Sequence, residues 1–103
     1  MDGEWHAAVR VPNGRQYDAR LVIQGEGGTW KLGVGGADPC VSMAIPVQWH
    51  PADAGAVEIS FFGSKALTGC RDSRTLFQPM EGGAFKGRGS GGVEIVLTRQ
   101  AKS

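Results

Sequence analysis

The sequence predicts an all-β domain, a small antiparallel barrel or a two-layer sandwich of about seven to eight strands with essentially no α-helix. Three observations carry this. Apolar and polar residues alternate with a period of two through most segments, as half-buried strands require. Glycine (17 residues) and proline (5) punctuate the chain between those segments. No stretch holds a 3.6-residue apolar period over the length a stable helix needs. With 103 residues, 41% apolar and 20% charged, the chain fits one domain, residues 1–103, outside the disordered class.

Residues 4–11 place Trp5, Ala7, Val9 and Val11 on one face and Glu4, His6, Ala8 and Arg10 on the other. Pro12-Asn13-Gly14 reads as a turn, because proline presets φ and an Asn-Gly pair tolerates positive φ. Residues 16–24 should therefore fold back as an antiparallel neighbour, with Tyr17, Ala19, Leu21 and Ile23 inward and Asp18, Arg20 and Gln24 outward. Gly25-Glu26-Gly27-Gly28 is expected to end that strand, and residues 29–34 to form a third with Trp30, Leu32 and Val34 on one face.

After a loop at Gly35-Gly36-Ala37-Asp38-Pro39, residues 40–49 alternate through Val41, Met43, Ile45, Val47 and Trp49. Pro46 lacks a ladder donor, which predicts an edge or bulged strand. His50-Pro51-Ala52-Asp53-Ala54-Gly55 reads as a loop, and residues 56–62 set Val57, Ile59 and Phe61 against Glu58 and Ser60. Phe62 is left as an aromatic on the polar side. Residues 74–80 form a weak strand, Glu81-Gly82-Gly83 turns the chain into Ala84-Phe85-Lys86, and residues 92–99 place Val93, Ile95 and Leu97 together with Val96 opposite.

Aligned with itself at an offset of 55, the chain pairs Leu21, Glu26, Gly27, Gly28 and Lys31 with Leu76, Glu81, Gly82, Gly83 and Lys86, and Trp30 with Phe85. The echo reads either as a duplication with two equivalent sites or, the reading preferred here, as the convergence of two glycine-rich hairpins on one local design.

Cys40 and Cys70 both sit at turn-to-strand junctions. The expectation is a disulfide between them, worth about 3 to 4 kcal/mol by a chain-entropy argument. It implies a periplasmic or secreted setting, including that of a trimmed lipoprotein, whereas reduced cysteines would imply the cytoplasm. A zinc site from Cys40, Cys70, His6 and His50 lacks the paired spacing of structural zinc motifs. No metal or cofactor is expected. No segment nears the roughly 20 apolar residues of a membrane-spanning helix.

Net charge is +1, with four Lys/Arg against seven Asp/Glu in residues 1–60 and seven against three in residues 61–103. Lys86-Gly87-Arg88-Gly89-Ser90-Gly91-Gly92 joins two cations to a freely bending backbone, a possible anion-binding concavity, but it lacks the Lys-Ser/Thr ending of a P-loop. Trp30 beside a glycine turn and Trp49 at a strand end are candidates to line a barrel mouth, with Phe62, Phe85, Lys86 and Arg88 as further candidate ligand contacts. No serine stands in a nucleophile elbow, and a Cys40 and His50 pair would conflict with the disulfide.

The expected function is a non-enzymatic binding or interaction module for an apolar ligand, a glycan or a protein partner. One alternative is a nucleic-acid-binding barrel with Lys65, Arg71, Arg74, Lys86 and Arg88 on one surface, which the absence of a basic-aromatic run disfavours. A second is a small hydrolase whose acid/base pair is assembled only in space. An opening Gly-x-Trp strand, a central cysteine pair and a closing strand ending Leu97-Thr98-Arg99 make the chain similar to small exported bacterial β domains, with no motif specific enough to carry residues across.

Overall fold

A computed structural model of the protein describes residues 2–33, 43–89 and 92–99. Eight antiparallel strands close into a barrel, each paired with its neighbour in sequence and the last with the first. They are β1 (Gly3–Arg10), β2 (Gln16–Gln24), β3 (Gly27–Leu32), β4 (Ile45–Pro51), β5 (Val57–Phe62), β6 (Asp72–Pro79), β7 (Phe85–Arg88) and β8 (Glu94–Arg99). One short helix, α1 (Gly63–Ala66), follows β5. The fold is the barrel of the two expected architectures. Closure comes from the β1–β8 ladder, in which Trp5 lies opposite Arg99 and Arg10 opposite Glu94.

The alternation read from the sequence sets the interior. Trp5, Ala7 and Val9 of β1, Ala19, Leu21 and Ile23 of β2, Val57, Ile59 and Phe61 of β5, and Ile95 and Leu97 of β8 are all buried. Trp30, Val47 and Phe77 complete the same cluster, with Tyr17, Leu32, Ile45, Trp49, Phe85 and Val93 packed against it. An eight-stranded barrel is just wide enough for its side chains to fill. Trp30 meets Phe61 edge to face at 5.3 Å, and Trp5 meets Phe85 at 5.7 Å. Where two large rings face inward, a small residue elsewhere must make room. A Cβ on Gly87 would lie 2.7 Å from the Phe77 ring and 2.8 Å from the Thr75 methyl.

Four expectations are corrected. Gly27 and Gly28 belong to β3 rather than to the turn: Gln24 already pairs with Gly27, leaving Gly25 and Glu26 as a two-residue connection. Gly28 lies so flush on β2 that a Cβ there would collide with the Val22 carbonyl. β4 is not an edge, since the closed barrel has none, and Pro46 faces Thr29 while the ladder to β5 begins one residue later at Val47. His50 and Pro51, expected in a loop, extend β4 opposite Glu58 and Val57. Met43, expected inward, precedes β4 and is exposed, because the alternation applies only once the strand has begun. Val34, Cys40 and Val41 lie outside the described residues; Cys70 is buried.

The hairpin echo does not extend to side-chain direction. Trp30 and Phe85 both turn inward, but Leu21 is fully buried in β2 while its counterpart Leu76 stands outward on β6 at 45% exposure. Two repeats of one design would bury both.

Candidate functional site

The six expected contact residues do not converge on one place. Trp30 is inside the barrel against Phe61. Trp49 and Phe85 lie towards the end that holds the start of β1 and the end of β8. Phe62 is outside on β5, with the Lys65 ammonium 4.6 Å from its ring centre. Lys86 and Arg88 stand on the outer face of β7, and Lys86 is tied to Glu94 at 3.0 Å.

Hydrogen bonds join Asp2 just ahead of β1, the β2–β3 turn, β4 and β8 at the expected mouth. The Trp49 indole N–H donates to the Gly25 carbonyl at 2.7 Å, and the Gly25 N–H donates to an Asp2 carboxylate oxygen at 2.8 Å. Arg99 Nη1 donates to the Asp2 carbonyl at 2.7 Å, with its guanidinium 4.5 Å from the Trp5 ring centre. Trp49 therefore ties the end of β4 to the β2–β3 turn through its indole N–H.

The outer wall offers a different candidate. In the β1–β2–β3 register His6 lies opposite Arg20, and Arg20 opposite Lys31. These three side chains, with Asp18, rim a groove of about 400 Å³ whose other lining residues are Trp5, Ala19, Leu32 and Gly33. His6 Nε2 is 2.9 Å from Asp18 Oδ1, which fixes the ring on the wall. The Gly33 N–H donates to the Asp18 carbonyl at 2.7 Å and closes the groove's floor. Among the described residues neither Arg20 nor Lys31 forms a salt bridge. Neither was singled out from the sequence, where each is one outward cation among several. The signal lies in the register, which follows once Gly25-Glu26 is recognised as a two-residue turn.

A smaller recess of about 310 Å³ is lined by Ser60, Phe62, Asp72, Ser73 and Arg74. The Ser64 hydroxyl and backbone N–H both donate to Asp72 Oδ1, at 2.7 and 3.0 Å, and these bonds hold its carboxyl below the usual range. Nearby, Glu58 lies 3.3 Å from His50 Nε2 and 3.8 Å from Arg74. On β8 the Glu94 carboxyl is likewise lowered, first by its hydrogen bond to Lys86 and then by the charges of Lys86, Arg88 and Arg10. Lys65, Arg74, Lys86 and Arg99 of the C-terminal half are thus each set beside a carboxylate or over a ring.

His6 and His50 stand on β1 and β4, which are not neighbours in the barrel. Among the described residues no three His, Cys, Asp or Glu side chains come together as a metal site would require, and no helix is long and apolar enough to cross a membrane. Compared with known protein families, curated proteins and solved structures, the chain matches none.

Proposed function

We propose that this chain is a non-enzymatic binding module that takes its ligand on the outer wall of the barrel rather than in the lumen. The observation that carries this is the groove on β1–β3, where Arg20 and Lys31 face each other on adjacent strands and, among the described residues, neither has an ion-pair partner. The packed interior supports the same reading, since Leu21, Ile23, Ile59, Phe77 and Leu97 are fully buried where a lumenal ligand would sit. A closed sheet also offers no free strand edge for a partner to extend. A hydrolase would need a carboxyl or imidazole poised by burial, whereas the lowered carboxyls of Asp72 and Glu94 answer to exposed hydrogen bonds and ion pairs.

The test is an amide shift-perturbation screen of the labelled domain against glycans, lipids, short oligonucleotides and peptidoglycan fragments. Shifts confined to the β1–β3 wall support the proposal. Shifts on Lys65, Arg74, Lys86 and Arg88 with oligonucleotides would replace it by the nucleic-acid reading. The bridge between Cys40 and Cys70, and with it an exported setting, belongs to the same proposal. An intact mass two hydrogens lighter than that of the reduced chain is its expected signature.

A further inference from the structure

We infer that the β1–β3 groove binds the oxyanion of a small ligand, a carboxylate or a phosphate, seated between Arg20 and Lys31. This rests on the wall-binding reading and specifies the chemistry that the wall recognises. Two cations directly opposite on adjacent strands repel, and a barrel selected for stability alone would place an acid at one of the two positions. The wall does so elsewhere, setting Arg10 and Arg88 directly opposite Glu94 on the two flanking strands. The nearest acid in the groove, Asp18, has one oxygen committed to His6. Its side chain is 81% exposed, where solvent screens its charge. An oxyanion between Arg20 and Lys31 supplies the missing counter-charge: the guanidinium offers a planar fork and the ammonium a point charge. The groove's volume of about 400 Å³ suits a ligand of monosaccharide size. His6 and Asp18 add polar atoms that a ligand hydroxyl can reach.

Three probes on one scaffold test this: glucose, glucuronate and glucose 6-phosphate, titrated into the labelled full chain at low salt. Both anions should shift the amides of His6, Asp18, Arg20, Lys31 and Gly33 saturably, and glucose should not. The tighter of the two anions identifies the oxyanion. Arg20→Gln and Lys31→Gln should each weaken binding by about tenfold or more, the loss of one charge-assisted hydrogen bond, while Lys86→Gln leaves it unchanged. Lys31→Gln should also raise the melting temperature of the unliganded protein, because it removes the repulsion. Melting curves of both variants establish that they fold.

Glucose binding as tightly as the anions would overturn the oxyanion inference and leave wall binding standing. Anion shifts spread equally over Lys65, Lys86 and Arg88 would overturn it as general charge screening. Silence of the groove towards these probes and towards every class in the wider screen would remove both readings.

Discussion

The β2–β3 and β6–β7 hairpins carry nearly the same letters, a leucine, a Glu-Gly-Gly triplet and an aromatic followed by lysine, yet they are built differently. In the first, Gly25 takes the positive φ of 67° and the chain reverses in two residues, so Gly27 and Gly28 are already strand. In the second, Gly82 and Gly83 take φ of 77° and 80°, and Pro79 pairs with Phe85 across a five-residue loop. The shift in turn length changes which side of the sheet each leucine reaches, because side chains in a strand change face at every residue. It changes the lysines too. Lys31 stands opposite Arg20, whereas Lys86 is neutralised by Glu94. Likeness of letters therefore does not carry likeness of site, since the turn sets the register and the register sets the neighbours.

The sharpest way to break this comparison is to truncate both leucines. Leu21→Ala empties a fully buried position and should cost about 2–5 kcal/mol, whereas Leu76→Ala at an exposed one should stay within about 0.5 kcal/mol. Urea unfolding of the two variants measures the difference. Equal losses would mean that the hairpins are equivalent and that Leu76 faces the interior.

The aligned glycines separate next. Gly28→Ala drives a methyl into the Val22 carbonyl, and a backbone obstacle places it at the upper end of overpacking costs, about 3 kcal/mol. Gly83→Ala meets no atom within reach and bears only the left-handed φ, about 1 kcal/mol. Asn tolerates that φ, so Gly83→Asn should recover most of the loss, and Gly28→Asn should recover none. Melting temperatures of the four variants give the order.

A third contrast concerns where each hairpin keeps its inward glycine. Gly28 precedes Trp30, but Gly87 follows Phe85 and lies beneath the Phe77 ring. Its obstacles are side chains, the Phe77 ring and the Thr75 methyl, and the ring can be trimmed. Gly87→Ala alone should cost about 1–3 kcal/mol, and in a Phe77→Leu background the added cost should fall by about 1 kcal/mol. A strictly additive double-mutant cycle would show that the two residues do not share the space.

Most of this barrel is written in local alternation. The faces of β1, β2, β5 and β8 follow from single residues such as Trp5, Leu21, Ile59 and Leu97, because burial on one face is a property of the strand itself. Closure is not local. It depends on Ala7 meeting Leu97 across the whole chain, which is why Pro46 reads as an edge signal in a strand that has neighbours on both sides. The groove is harder still to read. Arg20 and Lys31 are eleven positions apart in number and adjacent in space only because a two-residue turn brings them level. Trp49, picked out as a mouth residue for its place at a strand end, donates its indole N–H to the Gly25 carbonyl of the β2–β3 turn, a contact that also depends on the register.

The smallest contrast is electrostatic and separates the two lysines of the echo. Lys86 holds the Glu94 carboxyl below its ordinary value of 4.5. A carboxyl lowered in the folded state contributes stability that is present above the unfolded value and is lost as pH falls through the folded one. The pair lies at the surface, so the contribution is small and is further screened by salt. Lys86→Gln should therefore flatten the decline in melting temperature below about pH 4.5 at low ionic strength. Lys31→Gln should leave that slope as it is, since among the described residues no carboxylate forms a salt bridge with Lys31. Identical acid limbs for the two variants would place equivalent counter-charges beside both lysines, and the protein itself would then supply the counter-charge of Lys31.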